Sequence, residues 1–309
     1  LASKATGFPI ARCSAQLAVG FTLDEITNDI TGTTVSSFEP ALDYVAVKVP
    51  RFELEKFPEG YTSLGTQMKS VGEALALGRS FLEALNKAIR AAEFGFEGLE
   101  DLPGAGADQL DRMLSGLHPR RIFAAYTRLV RDVGGTECGG GGMDGCGDLP
   151  DGSRDRLERE STVSQVAAEI HRRTGYDLWF LHQMTRLARL EQSLRNVSVG
   201  ASDIELLVEA KRNGLSDRRI ATLTGSTPES VRDSRESAKI HPGFHFVDTC
   251  AGEFAAETPY FYSTYGESTD TPAVGDQGVI VVGSGPNRIG QGLEFDTCCT
   301  LASVAYRSL

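Results

Sequence analysis

The spacing of apolar positions changes period along the chain, and the changes divide it into three parts. In the first, Ile10, Ser14, Leu17 and Ala18 fall on one side of a helix. Gly7-Phe8-Pro9 introduces it, with proline at a favourable first-turn position, and Gly20 ends it. Thr22 and Glu25 have the spacing of a capping box and predict a second, short helix. From Tyr44 to Val49 the pattern alternates, so Val45, Val47 and Val49 share one face of a strand, with Pro50 and Pro58 marking its exit. Met68 to Glu73 then leads into a helix with Leu77, Phe81, Leu85, Ile89 and Ala92 on one stripe, closed by Gly95 and Gly98. This part reads as a partial α/β unit without enough strands for a complete sheet.

From Phe94 to Ala256 the period is mostly helical, which predicts a central all-α domain. Predicted helices run over Arg120–Val133, Val163–Arg173 and Asp177–Leu194, the last laced with Arg186, Arg189, Glu191 and Arg195. Trp179 at the start of that helix reads as a core anchor rather than a ligand platform. Gly134 to Gly147 is too rich in glycine for a packed structure and reads as a disordered insertion. Its Cys138 and Cys146 lack the second Cys/His pair of a zinc knuckle. Gly214 to Val231 has the cap–helix–Gly–cap–Pro–helix order of a helix-turn-helix. Glu229, Asp233 and Glu236 beside Arg232 and Arg235 leave the second helix without a positive excess, which favours a plain helical hairpin over a DNA reader.

His241-Pro242 ends the helical part, and an aromatic run from Tyr260 to Tyr265 leads into a polar linker, Gly266 to Gly278. The third part opens there. Val279-Ile280-Val281-Val282 reads as a buried strand, Gly283 to Gly292 as a glycine loop, and Thr300 to Leu309 as a helix. This is the start of a further α/β unit, Rossmann-like in pattern.

The formal charge of −11 over 309 residues argues against a general nucleic-acid or membrane-surface role. No apolar run approaches the roughly 20 residues of a membrane span. The chain opens Leu1-Ala2-Ser3-Lys4 and closes inside a helical pattern, so both ends read as cut. The six scattered cysteines read as free or buried thiols of a cytoplasmic protein.

The glycine loop is the first candidate for chemistry. Counting from Gly283, a dinucleotide fingerprint needs glycine at the sixth position, where Arg288 stands, and the Gly-Lys-Ser/Thr ending of a P-loop is missing as well. What the loop offers is Arg288 as an anion donor and Glu294 as a carboxylate near a helix start, with Asn287 and Gln291 beside them. Arg288 and Glu294 could equally pair and fix an interface. Glu73, in a polar cluster around Gly72, is either a functional acid or a first-turn acid favoured by the helix dipole. No Ser/His/Asp or metal-ligand constellation occurs.

Thr66-Gln67-Met68-Lys69-Ser70-Val71-Gly72-Glu73, Val247-Asp248-Thr249-Cys250-Ala251-Gly252-Glu253-Phe254 and Gly285 to Asp296 together resemble the large chain of carbamoyl-phosphate synthetase, as do Leu1 to Gly7 and Ser37-Phe38-Glu39-Pro40. The resemblance keeps one order along nearly the whole chain; the glycine-rich segment departs from it. It implies a ligase that makes carbamoyl phosphate from bicarbonate, ammonia and two ATP, for arginine and pyrimidine synthesis. Its large chain has two ATP-grasp halves, ATP held with Mg or Mn, a glutaminase small subunit as partner, and homo-oligomers formed through a helical domain. On that map residues 1–93 end the first half, 94–256 are the oligomerisation domain, and 257–309 are the linker and the pre-ATP-grasp start of the second half. The resemblance places Glu73, Gly292 and Glu294 on the carbamate channel and the ATP residues outside this stretch. It implies no synthesis by the stretch alone. The rival readings are a non-catalytic helical assembly module and, behind it, the DNA reader.

Overall fold

The computed structural model describes residues 2–54, 64–135, 165–197, 204–256, 258, 260–266, 268–271, 275, 278–283 and 293–308. Two short helices come first, α1 (Ala2–Thr6) and α2 (Ile10–Ala18), with Pro9 as the residue before α2. Only Cys13 of α2 is buried, so the stripe read from Ile10 and Leu17 stays largely in solvent. The capping pair is half realised: the Thr22 N–H donates to Glu25 Oε2 at 2.9 Å, but the segment closes into a turn rather than a helix.

Strand β1 (Val45–Arg51) pairs antiparallel with β2 (Gly72–Gly78), with Val47 opposite Ala76 and Pro50 opposite Glu73. The predicted alternation holds, since Val45, Val47 and Val49 take the less exposed face of β1. Residues 72–78, expected as the entry to a helix, are a strand instead. Ala74, Ala76 and Gly78 are its buried positions, a period of two that the helical spacing from Leu77 onward masked. Helix α3 (Phe81–Ala91) therefore begins only after Ser80, whose side chain accepts from the Glu83 N–H.

The helical body follows: α4 (Ala107–Ser115), α5 (Arg121–Gly135), α6 described over 165–174, α7 (Leu178–Arg195), α8 (Ile204–Arg212), α9 (Asp217–Thr224) and α10 (Pro228–Ser237). One apolar core joins Leu82, Leu85 and Ile89 of α3 to Leu110, Phe123, Tyr126, Ile170, Leu187 and Ile220 from the later helices. Gly134 and Gly135, read as loop, belong to α5. The rest of the glycine-rich insertion, with Cys138 and Cys146, lies outside the described residues.

Two strands were not read from the sequence. Strand β3 (Pro242–Phe246) pairs antiparallel with β4 (Phe261–Tyr265), and β4 lies against β2 and α8. Its aromatic composition suits a strand, but the turn between the two carries the Val247–Phe254 stretch, which hides the hairpin spacing. The run at 278–283 differs from the reading above. It is not a strand, and Ile280 and Val282 are 89% and 86% exposed. A strand needs a hydrogen-bonding neighbour, and none of the described residues pairs with it. Helix α11 (Leu293–Arg307) closes the described chain. The architecture is thus a helical body flanked by two small two-stranded sheets.

Candidate functional site

Glu73 sits on β2, across from Pro50 on β1, and pairs with Lys48 two positions along that strand. It is half-exposed and lies in a strand rather than in a first helical turn, so the helix-dipole reading falls. Beside it, Gln67, Met68, Lys69, Ser70 and Val71 line a 470 Å³ pocket with Glu53 and Leu54. The Glu53 carboxylate is buried and accepts from Arg51, at 3.3 Å from Nη2 and 3.4 Å from Nε. The same guanidinium donates to the Ala92 and Glu93 carbonyls at 2.5 and 2.6 Å. Glu93 has a left-handed backbone (φ 55°), and this grip on its carbonyl holds the C-terminal end of α3 there. Arg51 thus links the pocket to α3.

Glu294 is the second residue of α11; its side chain, all of Gly292, and Asn287, Arg288 and Gln291 lie outside the described residues. The structure therefore places Glu73 and leaves its proposed companions unplaced.

Sequence reasoning missed a carboxylate that is far more constrained. Glu83 is fully buried in the first turn of α3. Its Oε2 accepts from the Arg79 N–H and from Thr264 Oγ1, both at 2.8 Å, and its Oε1 lies 2.8 Å from Lys87 Nζ. Lys87 also donates to the Leu77 carbonyl at 2.9 Å and to the Ser263 carbonyl. Two glycines make room: a Cβ on Gly78 would meet Glu83 Oε2 at 2.7 Å, and one on Gly214 would meet the Glu83 Cα at 2.9 Å. The signal was present as Ser80-x-x-Glu83, a capping box, here with the acid reaching back to the Arg79 N–H.

The stretch Val247–Phe254 forms a wall of a 330 Å³ pocket with Asp43, Arg79 and His245. The Asp248 carboxylate accepts from the backbone N–H groups of Cys250 and Ala251, and His245 Nδ1 lies 3.0 Å from Asp270 Oδ2. Cys250 is buried; burial, with Asp248 nearby, pushes its thiol pKa up and makes it a poor nucleophile.

In the helical body, Glu191 proves to be core rather than lacing. Its two oxygens accept from Arg219 Nε at 2.7 Å and Nη2 at 2.8 Å, while Arg219 Nη1 reaches Glu100 Oε2 at 3.0 Å. Burial alone would lower the Arg219 pKa, but the bidentate carboxylate more than offsets it, and the guanidinium stays charged. The helix-turn-helix geometry forms as read: Ser216 and Thr227 cap α9 and α10, and Gly225 turns between them with φ 65°. Arg235 of α10 is occupied by Asp217 and the Ile240 carbonyl, leaving that helix poorly equipped for phosphates.

Trp179 differs from the sequence expectation. It is 51% exposed and packs its ring at 5.4 Å from Phe81 and 5.1 Å from Phe180. Among the described residues no group of three His, Cys, Asp or Glu could hold a metal ion, and no helix is long and apolar enough to cross a membrane.

Two family profiles match the chain. Residues 73–137 and 157–239 match the carbamoyl-phosphate synthetase large chain, oligomerisation domain, and residues 275–309 match the carbamoyl phosphate synthase preATP-grasp domain. Among curated proteins, the carbamoyl phosphate synthase large chains of Rhodopirellula baltica and Pseudomonas putida are 44% and 43% identical over 100% and 99% of this chain. The arginine-specific large chain, chloroplastic, of Arabidopsis thaliana is 43% identical over 99%. The chain spans 26%, 26% and 24% of those relatives' lengths, about a quarter of each.

Proposed function

The chain belongs to the carbamoyl-phosphate synthetase large-chain family, and from that premise we propose that it works as the centre of a ligase that makes carbamoyl phosphate from bicarbonate and ammonia while two ATP are cleaved to two ADP and one free phosphate. The observation that supports this most is order: an oligomerisation-domain match precedes a preATP-grasp match, within a likeness that covers the whole chain. On this reading residues 1–93 end the first ATP-grasp half, 94–256 form the helical assembly domain, and 257–309 lead into the second half. The apolar run at 278–283 then pairs as a strand only within the complete second half. ATP with Mg or Mn, the glutaminase partner and a cytoplasmic location belong to the same reading.

Within it, Glu73, Gly292 and Glu294 line the carbamate route. An anionic, labile carbamate needs fixed polar partners and exclusion of bulk water. Two charged carboxylates would repel it, which favours passage as neutral carbamic acid. Lys48 beside Glu73 offsets part of that repulsion. In a full-length enzyme carrying this segment, Glu73→Ala and Glu294→Ala are each expected to let bicarbonate-dependent ATP hydrolysis continue while carbamoyl phosphate falls at least tenfold. Normal coupling in both variants would sink the channel assignment. The present chain alone, given ammonia, bicarbonate and Mg-ATP, is expected to yield no carbamoyl phosphate above a blank.

A second reading, assembly without catalysis, is favoured by one observation: the oligomerisation-domain match takes in most of the helical body. The two readings are compatible for this segment.

A further inference from the structure

We infer that Glu83 is a positioning residue for the coupled reaction: with Lys87 and Thr264 it sets β2, which carries Glu73, in register with β4 and the linker that follows. This rests on the ligase reading above and names a contact that keeps its two halves in step. Glu83 stands in the first turn of α3 and is 1% exposed. Its carboxylate accepts from the Arg79 N–H just after β2 and from the Thr264 hydroxyl of β4, and it pairs with Lys87 one turn along α3. Lys87 in turn donates to the Leu77 carbonyl of β2 and to the Ser263 carbonyl of β4. The two strands are therefore bridged twice, each time through α3.

Apolar packing alone holds two elements together but tolerates sliding. A buried ion pair does not, because a shift of one residue along either strand would leave Glu83 or Lys87 without partners away from water. The close fit at Gly78 and Gly214 removes the room for a second arrangement of that carboxylate. Gly78 ends β2, and Glu73 lies five positions back on the same strand, about 17 Å away. Beyond Thr264 the register continues into the linker. The Phe244 N–H donates to Thr269 Oγ1 at 3.3 Å, and the Asp270 N–H donates to the Phe244 carbonyl at 3.1 Å. His245 Nδ1 lies 3.0 Å from Asp270 Oδ2, so the linker is held on β3 as far as Asp270, and β3 is paired with β4.

A positioning role makes a distinct demand on the chemistry. Carbamate released into bulk solvent takes up water and reverts to bicarbonate and ammonia, so the first ATP is spent without product. Loss of register at Glu83 therefore shows as wasted ATP, with each phosphorylation site still competent by itself.

The test uses the full-length enzyme with its glutaminase partner. It compares Thr264→Val, which removes the hydroxyl at nearly constant size, with Thr264→Ser, which keeps it. Bicarbonate-dependent ATP hydrolysis without ammonia reads the first site, and ATP formation from ADP and carbamoyl phosphate reads the second. Thr264→Val is expected to keep both within about twofold of wild type, while the ATP cleaved per carbamoyl phosphate formed rises at least threefold. Thr264→Ser is expected to restore the wild-type ratio. Glu83→Gln keeps the shape but sets an amide NH2 against Lys87, and it is expected to raise the same ratio; it decides the matter if Thr264→Val does not fold. A folded Thr264→Val or Glu83→Gln enzyme with the wild-type ratio overturns the inference. So does a parallel fall of both partial reactions with the ratio unchanged, the mark of a merely structural role. Coupling lost in Glu73→Ala but kept in these variants overturns the inference and leaves the channel reading standing. A wild-type enzyme that makes no carbamoyl phosphate overturns the ligase reading itself.

Discussion

Glu191 and Glu100 both touch Arg219, yet they do different work. Glu191 is 1% exposed and grips the guanidinium through two bonds, so its loss would strand a charge in the core. Glu191→Ala is expected to cost about 3–5 kcal/mol in urea unfolding. Glu100 makes a single bond to Arg219, and burial raises its own pKa with Arg219 opposing. Its ionisation therefore works slightly against folding, and Glu100→Gln is expected to cost no more than about 1 kcal/mol in the same measurement. His118 gives a pH signature. Burial, then Arg120, lowers its pKa from 6.5, so below that value the unfolded chain binds more protons than the folded one. Its contribution to stability is present above pH 6.5 and is lost as pH falls through the folded value. The melting temperature is expected to drop less between pH 7.5 and 5.5 in His118→Gln than in wild type. At this scale the sequence was least legible. Arg218 and Arg219 are adjacent and chemically alike, and only the register of α9 leaves the first in solvent and buries the second against Glu191.

Helices α9 and α10 were legible because their ends are written in side chains: Ser216, Gly225, Thr227 and Pro228 each occupy the position their chemistry favours. Strand β2 was not. Gly-Glu-Ala-Leu-Ala-Leu-Gly holds no β-branched or aromatic residue, and pairing with β1, rather than propensity, makes it a strand. The glycine positions separate local from tertiary demands. Gly225 needs only its left-handed backbone and has open space around it, so Gly225→Ala is expected to cost about 1–2 kcal/mol. Gly214 combines φ 81° with a Cβ position 2.9 Å from the Glu83 Cα and carbonyl oxygen. Gly214→Ala should cost clearly more, read as a larger loss of melting temperature in parallel scans.

Across the whole molecule, Lys87 and Glu83 join β2, α3 and β4 at one buried point. Lys87→Met removes the cation but leaves Glu83 buried with Thr264, so amide hydrogen exchange is expected to quicken in β4 while α5 and α7 keep their protection. The change from strand to helical period was legible at this scale, but one core joins α3, read with the first part, to the later helices. The place where the parts touch was not legible, since it depends on residues far apart in sequence. That separation has a consequence for how the chain reaches its structure. Thr264 meets Glu83 across 181 positions, Lys87 reaches the Ser263 carbonyl across 176, and the Tyr44 hydroxyl lies 3.1 Å from the Asp248 carbonyl across 204. Contacts this distant close large loops and reward the chain only after the intervening helices have condensed. The helical body is expected to form first and the β3–β4 hairpin to dock last. In stopped-flow experiments Thr264→Ala should therefore speed unfolding and leave the folding rate nearly untouched, whereas Leu187→Ala should slow folding.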